Sequence, residues 1–360
     1  MRTGIANLPL HSGRVPKWLF EKMVKLAREI IYLLVWEKGR KKLLENLADP
    51  FWFQAFGCVL GFDWHSSGIT TTVCGAIKEA LKDIGQEIGV FMVGGKGKTA
   101  LKTPEEIYQL GEKFSLSVSP IDLIKVSRLT AKVDNSCLQD GFQIYHHTLI
   151  FTKEGLWGVI QQGMNPSTGW ARRYHWLQGE NMNFVNEPHS GIVSDWRGEI
   201  LNLVAKESKG ARKVITEISK DSPDKVWKEL KNIKELTLPS HHWIRGVWID
   251  ENHLKRSLEE IYSSQPENFE DLLLVKGVGA KTLRALALIS ELLYGEKVSR
   301  RDPARYSFAH GGKDGHPYPV DKKTYQNSIE FLKEAVNKAK LGNREKLNAL
   351  KRLSLWSERL

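Results

Sequence analysis

The chain has 360 residues, more than one core usually organises, so two domains are the starting expectation. Apolar residues make up 41% and charged residues 26%, values that exclude a disordered, collagenous or disulfide-scaffold chain. The 53 basic and 42 acidic side chains leave a formal charge of +11, which makes a polyanion, nucleic acid first, the partner to test.

The excess leans towards the C-terminal half: residues 191–360 carry 31 basic and 24 acidic side chains, residues 1–190 carry 22 and 18. The longest apolar stretch, residues 30–36, is far shorter than the roughly 20 residues of a membrane span. The opening Met1-Arg2-Thr3-Gly4 leads into no apolar signal core, so neither export nor a membrane partner is expected. Cys58, Cys74 and Cys137 are scattered and form no C-x-x-C pair, which fits a reducing cytoplasm.

In chain order, residues 16–45 read as a helix, with Leu19, Met23, Leu26, Ile30 and Leu33 at three- and four-residue spacing. Residues 70–84 repeat the pattern. Residues 89–93 are a short apolar run closed by Gly94-Gly95-Lys96-Gly97, the signature of a buried strand and a glycine turn. That turn ends in Gly-Lys-Thr but has Val93 where a P-loop needs its first glycine, so no nucleotide site is expected. Helices are predicted over 104–114 and 121–138, and two strands over 145–152 and 156–162 around a Lys153-Glu154-Gly155 turn. The polar stretch 163–194 is the expected domain boundary. Helical periodicity then covers 200–206, 213–218, 224–233 and 253–263.

The sharpest local pattern follows. An apolar helix from Phe269 stops at Gly277-Val278-Gly279, and Lys281-Thr282 opens a second one. Glycines there let the turn present consecutive backbone N–H groups at a helix N-terminus, where the dipole favours a phosphate oxygen. The segment resembles the helix-hairpin-helix motif of DNA-repair proteins. The resemblance implies backbone contacts to DNA from Gly277, Val278, Gly279, Lys281, Thr282 and Arg284. The basic loop that follows, with Arg300, Arg301, Arg305 and Lys313 among glycines and histidines, is expected to add strand contacts.

More broadly, residues 195–340 resemble the helix-hairpin-helix DNA glycosylase superfamily. That likeness implies a Lys nucleophile, matched here by Lys281, and a catalytic Asp in an apolar-Val-Asp segment, matched by Pro319-Val320-Asp321. It implies lesion-directed cleavage of DNA by a glycosylase/AP-lyase reaction that needs no cofactor. An amine attacks the sugar C1′ and a carboxylate stabilises the positive charge that develops.

A second polar group lies in the N-terminal half. Asp63 and His65, then Asp134, Asp140, His146 and His147, are residue types that ligate a divalent metal, and with Mg²⁺ or Mn²⁺ they would make a nuclease of this half. Adjacent His146 and His147 face opposite sides of a strand, so one cluster takes at most one of them. A third possibility is a non-enzymatic protein that binds structured DNA or RNA.

The expected fold class is α+β, with a mixed α/β domain over residues 1–190 and an all-α helix-hairpin-helix domain over 191–360. Whole-chain features, among them Gly61-Phe62-Asp63-Trp64-His65-Ser66-Ser67-Gly68, Gln161-Gln162-Gly163-Met164-Asn165 and Phe308-Ala309-His310-Gly311-Gly312-Lys313-Asp314-Gly315, resemble an archaeal and bacterial family, domain of unknown function seven-six-three.

Overall fold

The computed structural model describes residues 15–61, 68–180, 182–194, 197–234, 251–304 and 322–357. Asp63, His65, Arg305, Lys313 and Asp321 lie outside the described residues. The fold is α+β around an antiparallel sheet. Among the described residues no helix is long and apolar enough to cross a membrane.

Four helices come first: α1 (Lys17–Lys38), α2 (Arg40–Ala48), α3 (Pro50–Leu60) and α4 (Gly68–Ile88). The single helix expected over 16–45 is two, because Gly39 adopts φ +85° and breaks it. α3 is wholly buried and apolar except for Gln54; Asp49 caps it by accepting from Phe51 N at 2.8 Å, and Pro50 opens its first turn. Gly57 lets α3 approach α4 closely, since a Cβ there would stand 2.5 Å from the Ile69 side chain.

β1 (Val90–Lys96), α5 (Lys98–Leu101), α6 (Thr103–Lys113) and α7 (Pro120–Lys132) follow. The helix expected to run to residue 138 instead ends in a π turn at Val133–Cys137 and a short strand, β2 (Leu138–Gln139). β3 (Gln143–Thr152) and β4 (Trp157–Asn165) match the expected hairpin. The polar stretch expected to be a boundary holds β5 (Trp170–Leu177) and β6 (His189–Val193). The sheet order is β1-β3-β4-β5-β6, antiparallel throughout.

The helix expected over 200–206 is not formed: β7 (Leu201–Asn202) pairs with β2. Then come α8 (Lys209–Ser219), α9 (Pro223–Lys234), α10 (Glu251–Ser264), α11 (Phe269–Leu274), α12 (Ala280–Leu293), α13 (Lys322–Lys338) and α14 (Asn343–Ser357).

Alternation along the strands gives the sheet two apolar faces. The first, with Met92, Ile150, Ile160 and Val193, packs on α1–α4 together with Leu332 and Val336 of α13 and Leu353 of α14. The second, with Val93, Leu149, Val159, Tyr174 and Trp176, packs on α6 and α7 and continues without a break into α8–α12. Each core therefore draws on residues from both sides of position 190. Arg352 fastens the C-terminus by donating from Nη2 to Val59 O at 2.6 Å, at the end of α3, and Lys338 pairs with Glu37 of α1 at 2.7 Å.

Candidate functional site

The Gly-Val-Gly turn is held by its carbonyls. Asn268 caps α11, accepting from Asp271 N at 3.0 Å. The chain then turns at Gly277, whose φ of +85° suits glycine, and buried Val278 anchors the turn in the second core. Ser257 Oγ donates to Gly277 O at 3.0 Å, Lys132 Nζ donates to Val278 O, and Gln139 Nε2 donates to Ala280 O at 2.7 Å. Two of these three donors flank the π turn after α7, so the residues around that π turn help to set the position of the glycine turn. Burial pushes the Lys132 ammonium below its ordinary pKa.

With these carbonyls tied inward, the Val278 amide donates to Val275 O at 3.3 Å, and the first amides of α12 follow. Gly279 is the N-cap of α12 and supplies no side-chain cap, and Leu283 N donates to Gly279 O at 3.0 Å to close the first turn. The N–H groups of Ala280, Lys281 and Thr282 precede that bond and have no intrahelical acceptor. Gly277, Lys276 and Lys281 are exposed beside them. The other residues expected to touch phosphate are placed differently. Thr282 is buried with its hydroxyl unpartnered. Arg284 turns inward, donating to Gln139 Oε1 at 2.5 Å. Arg300 is half-buried against Glu291 at 2.9 Å, and Arg301 is exposed but paired with Glu187 at 2.9 Å.

The expected metal ligands are divided among three places. Asp134, in the π turn, is fully buried and accepts from Gln161 Nε2 (2.5 Å), Trp176 Nε1 (2.9 Å) and His189 Nε2 (2.5 Å). His147 joins the same network through Gln161 Oε1 at 2.9 Å and Ser127 Oγ at 2.8 Å. Asp140 belongs to an ion cluster: Arg172 Nη1 at 2.8 Å and the Tyr174 hydroxyl at 2.8 Å both reach its carboxylate, and Arg172 Nη2 reaches Asp302 at 2.8 Å. Burial opposes the Arg172 charge, yet Asp140, Tyr174 and Asp302 outweigh it and raise its pKa. His146 lies on the opposite face of the sheet. Among the described residues, no group of three or more His, Cys, Asp or Glu side chains could hold a metal ion.

His189 is the residue that sequence reasoning missed. It lines a small cleft with Glu187, Asn202, Arg301 and Pro303, and its bond to Asp134 leaves Nδ1 as the ring nitrogen not so engaged. A carboxylate that accepts from one ring nitrogen fixes the tautomer and orientation of the imidazole. The π turn that carries Asp134, a feature that concentrates at functional sites, points to it only in three dimensions, and the local sequence carries no signal for it.

On the first face, His146, Gln162 and Arg173 stand in register across β3, β4 and β5, with Lys96 of β1 opposite His146. Thr70, in the first turn of α4, donates to Gln162 Oε1 and accepts from Arg173 Nη1 at 3.5 Å. Gln162 Nε2 donates to the Tyr145 hydroxyl. Arg173 also donates to Gln54 Oε1 at 3.2 Å and to His175 Nε2 at 2.9 Å, while His175 Nδ1 donates to Leu47 O at 3.0 Å. Burial lowers the Arg173 guanidinium to about 9 and the His146 imidazole to about 3. The nearby Cys74 thiol, pushed up to about 12 by burial, is neutral and offers Arg173 no counter-charge.

No curated protein and no solved structure matches the chain. The model of one family, described as protein of unknown function (DUF763), matches residues 4–320, and the chain belongs to that family.

Proposed function

We propose that the chain binds DNA through the turn at residues 277–282, taking a backbone phosphate on the first amides of α12, and that it acts on the bound strand as a repair-type enzyme. The carrying observation is the asymmetry of the turn: Ser257, Lys132 and Gln139 hold three of its carbonyls, while the amides of Ala280, Lys281 and Thr282 keep no helical acceptor. A net charge of +11 favours the same partner. Contacts of this kind grip the backbone without reading sequence, which suits a protein that finds damage in any sequence.

The chemistry belonging to this reading is glycosylase/AP-lyase cleavage. Lys281 projects an exposed amine from the second residue of α12, beside the phosphate-binding amides, and Asp321 is its expected carboxylate. The test is a labelled duplex with one abasic site, incubated with EDTA and borohydride. Wild type is expected to form a covalent adduct that Lys281→Ala abolishes, with binding retained at low salt. Binding whose affinity does not depend on salt, or is unchanged when Gly277 and Gly279 are both replaced by valine, would refute the hairpin reading. Cleavage that EDTA stops would refute the lyase chemistry and leave the grip intact.

A further inference from the structure

We infer that the buried row of Arg173 and His146, at the head of α4, is a binding site for a phosphoryl oxyanion. The inference is independent of the hairpin.

Arg173 is fully buried, and among the described residues no carboxylate pairs with it. A guanidinium has five N–H donors. Here three are spent on the neutral acceptors His175, Thr70 and Gln54, which leaves two. Arginine keeps its charge in proteins, and a buried charge lacking an opposite one is costly to hold. The contrast with its neighbour is internal to the molecule: Arg172, one residue earlier and equally buried on the other face, has two carboxylates.

His146 is 1% exposed, and neither of its ring nitrogens has a hydrogen-bond partner. Buried polar atoms left in this state are rare, and each calls for an explanation. The register brings the two anomalies together. His146 faces Gln162 and Gln162 faces Arg173, so they share one face across adjacent strands spaced about 4.8 Å apart.

The third element is α4 itself. Thr70 touches both Gln162 and Arg173, so the positive end of a 21-residue helix lies over the row. Exposed Lys96 extends the same sign of charge to the β1 edge, opposite His146. Two guanidinium N–H groups and one N–H of a neutral imidazole, near the positive end of α4, make a donor set for a tetrahedral dianion. A planar carboxylate has fewer acceptor directions for it. The phosphoryl group has two possible sources, inorganic phosphate or the terminal phosphate of a nucleic acid.

The experiment titrates the full-length protein with inorganic phosphate, following ³¹P resonance broadening and the thermal midpoint against chloride at matched ionic strength. Arg173→Gln and His146→Leu run in parallel and subtract the general stabilisation that phosphate salts give any fold. Phosphate is expected to raise the wild-type midpoint, and each variant should weaken Kd by about tenfold or more, the loss of a charge-assisted hydrogen bond. His146→Leu removes polar atoms that have no partner, so it should fold in phosphate-free buffer even where Arg173→Gln does not. Competition by a 5′-phosphorylated oligonucleotide, and not by its 5′-hydroxyl twin, would assign the source as a nucleic-acid end. Competition by neither would assign free phosphate. A wild type that shows no saturable phosphate binding, or a His146→Leu protein with wild-type Kd, overturns the site. His146→Leu should still form the borohydride adduct on abasic DNA, so failure here and failure of the hairpin reading are distinguishable.

Discussion

Three buried histidines should make this protein sensitive to mild acid. His146 and His175 are held well below the ordinary histidine pKa, His146 at about 3, chiefly because burial disfavours the imidazolium; His147 is lowered for the same reason. A group whose folded pKa is depressed contributes stability that is present above its unfolded value and lost as pH falls. The unfolded value is about 6.5, so at about pH 5 each histidine still neutral in the fold has cost about 2 kcal/mol relative to neutral pH. His146 and His175 together then remove about 4 kcal/mol, and His147 adds to it. That is a large part of the roughly 5–15 kcal/mol that holds a typical domain together. The assay is urea unfolding at about pH 7.5, 6 and 5 in phosphate-free buffer, with His146→Leu alongside. The wild-type midpoint should fall steeply through this window, above the range where carboxylates titrate, and the variant should recover about 2 kcal/mol at the lowest pH. A loss of less than about 1 kcal/mol between the two extremes, or no recovery in the variant, would refute the claim that these rings are neutral and enclosed.

Arg172→Met leaves the carboxylates of Asp140 and Asp302 without their cation, and the expected cost is about 3–5 kcal/mol in urea unfolding. Lys132→Met strips the donor from Val278 O; it should cost about 1–3 kcal/mol and weaken DNA binding in anisotropy titrations without touching a residue at the DNA. Lys276→Ala and Lys281→Ala should each flatten the slope of log affinity against log salt by about 1, provided each side chain meets one phosphate.

Legibility in the sequence followed the separation of apolar and polar faces. β3 and β4 could be read because a Lys-Glu-Gly turn joins two apolar runs, and the break between α11 and α12 because glycines mark it. β5 could not be read. Its Trp-Ala-Arg-Arg-Tyr-His-Trp-Leu places charged or hydrogen-bonding groups on both faces, and those from Arg172 to Trp176 are buried, so the stretch looks like a polar connector. α3 fails for the opposite reason, having no polar face from which to take a period. The expected helix over 121–138 overran its end because a π turn keeps helical composition while changing the hydrogen-bond pattern. Asp134, Asp140 and His147 were singled out by residue type alone. Their partners His189 and Arg172 lie 55 and 32 positions away from Asp134 and Asp140, beyond any local pattern.

The first core also has a timetable. Met23 and Ile30 near the start of the chain share it with Leu332, Val336 and Leu353 near the end. A ribosome adding about 5–20 residues per second needs on the order of 15–60 s to make the intervening stretch. Throughout that interval α1 and α3 have left the tunnel without the helices that finally cover them, so their apolar sides must be shielded by a chaperone or by provisional contacts. A message truncated before α13 would yield a protein with every strand of the sheet but with that core still open, a natural substrate for quality control.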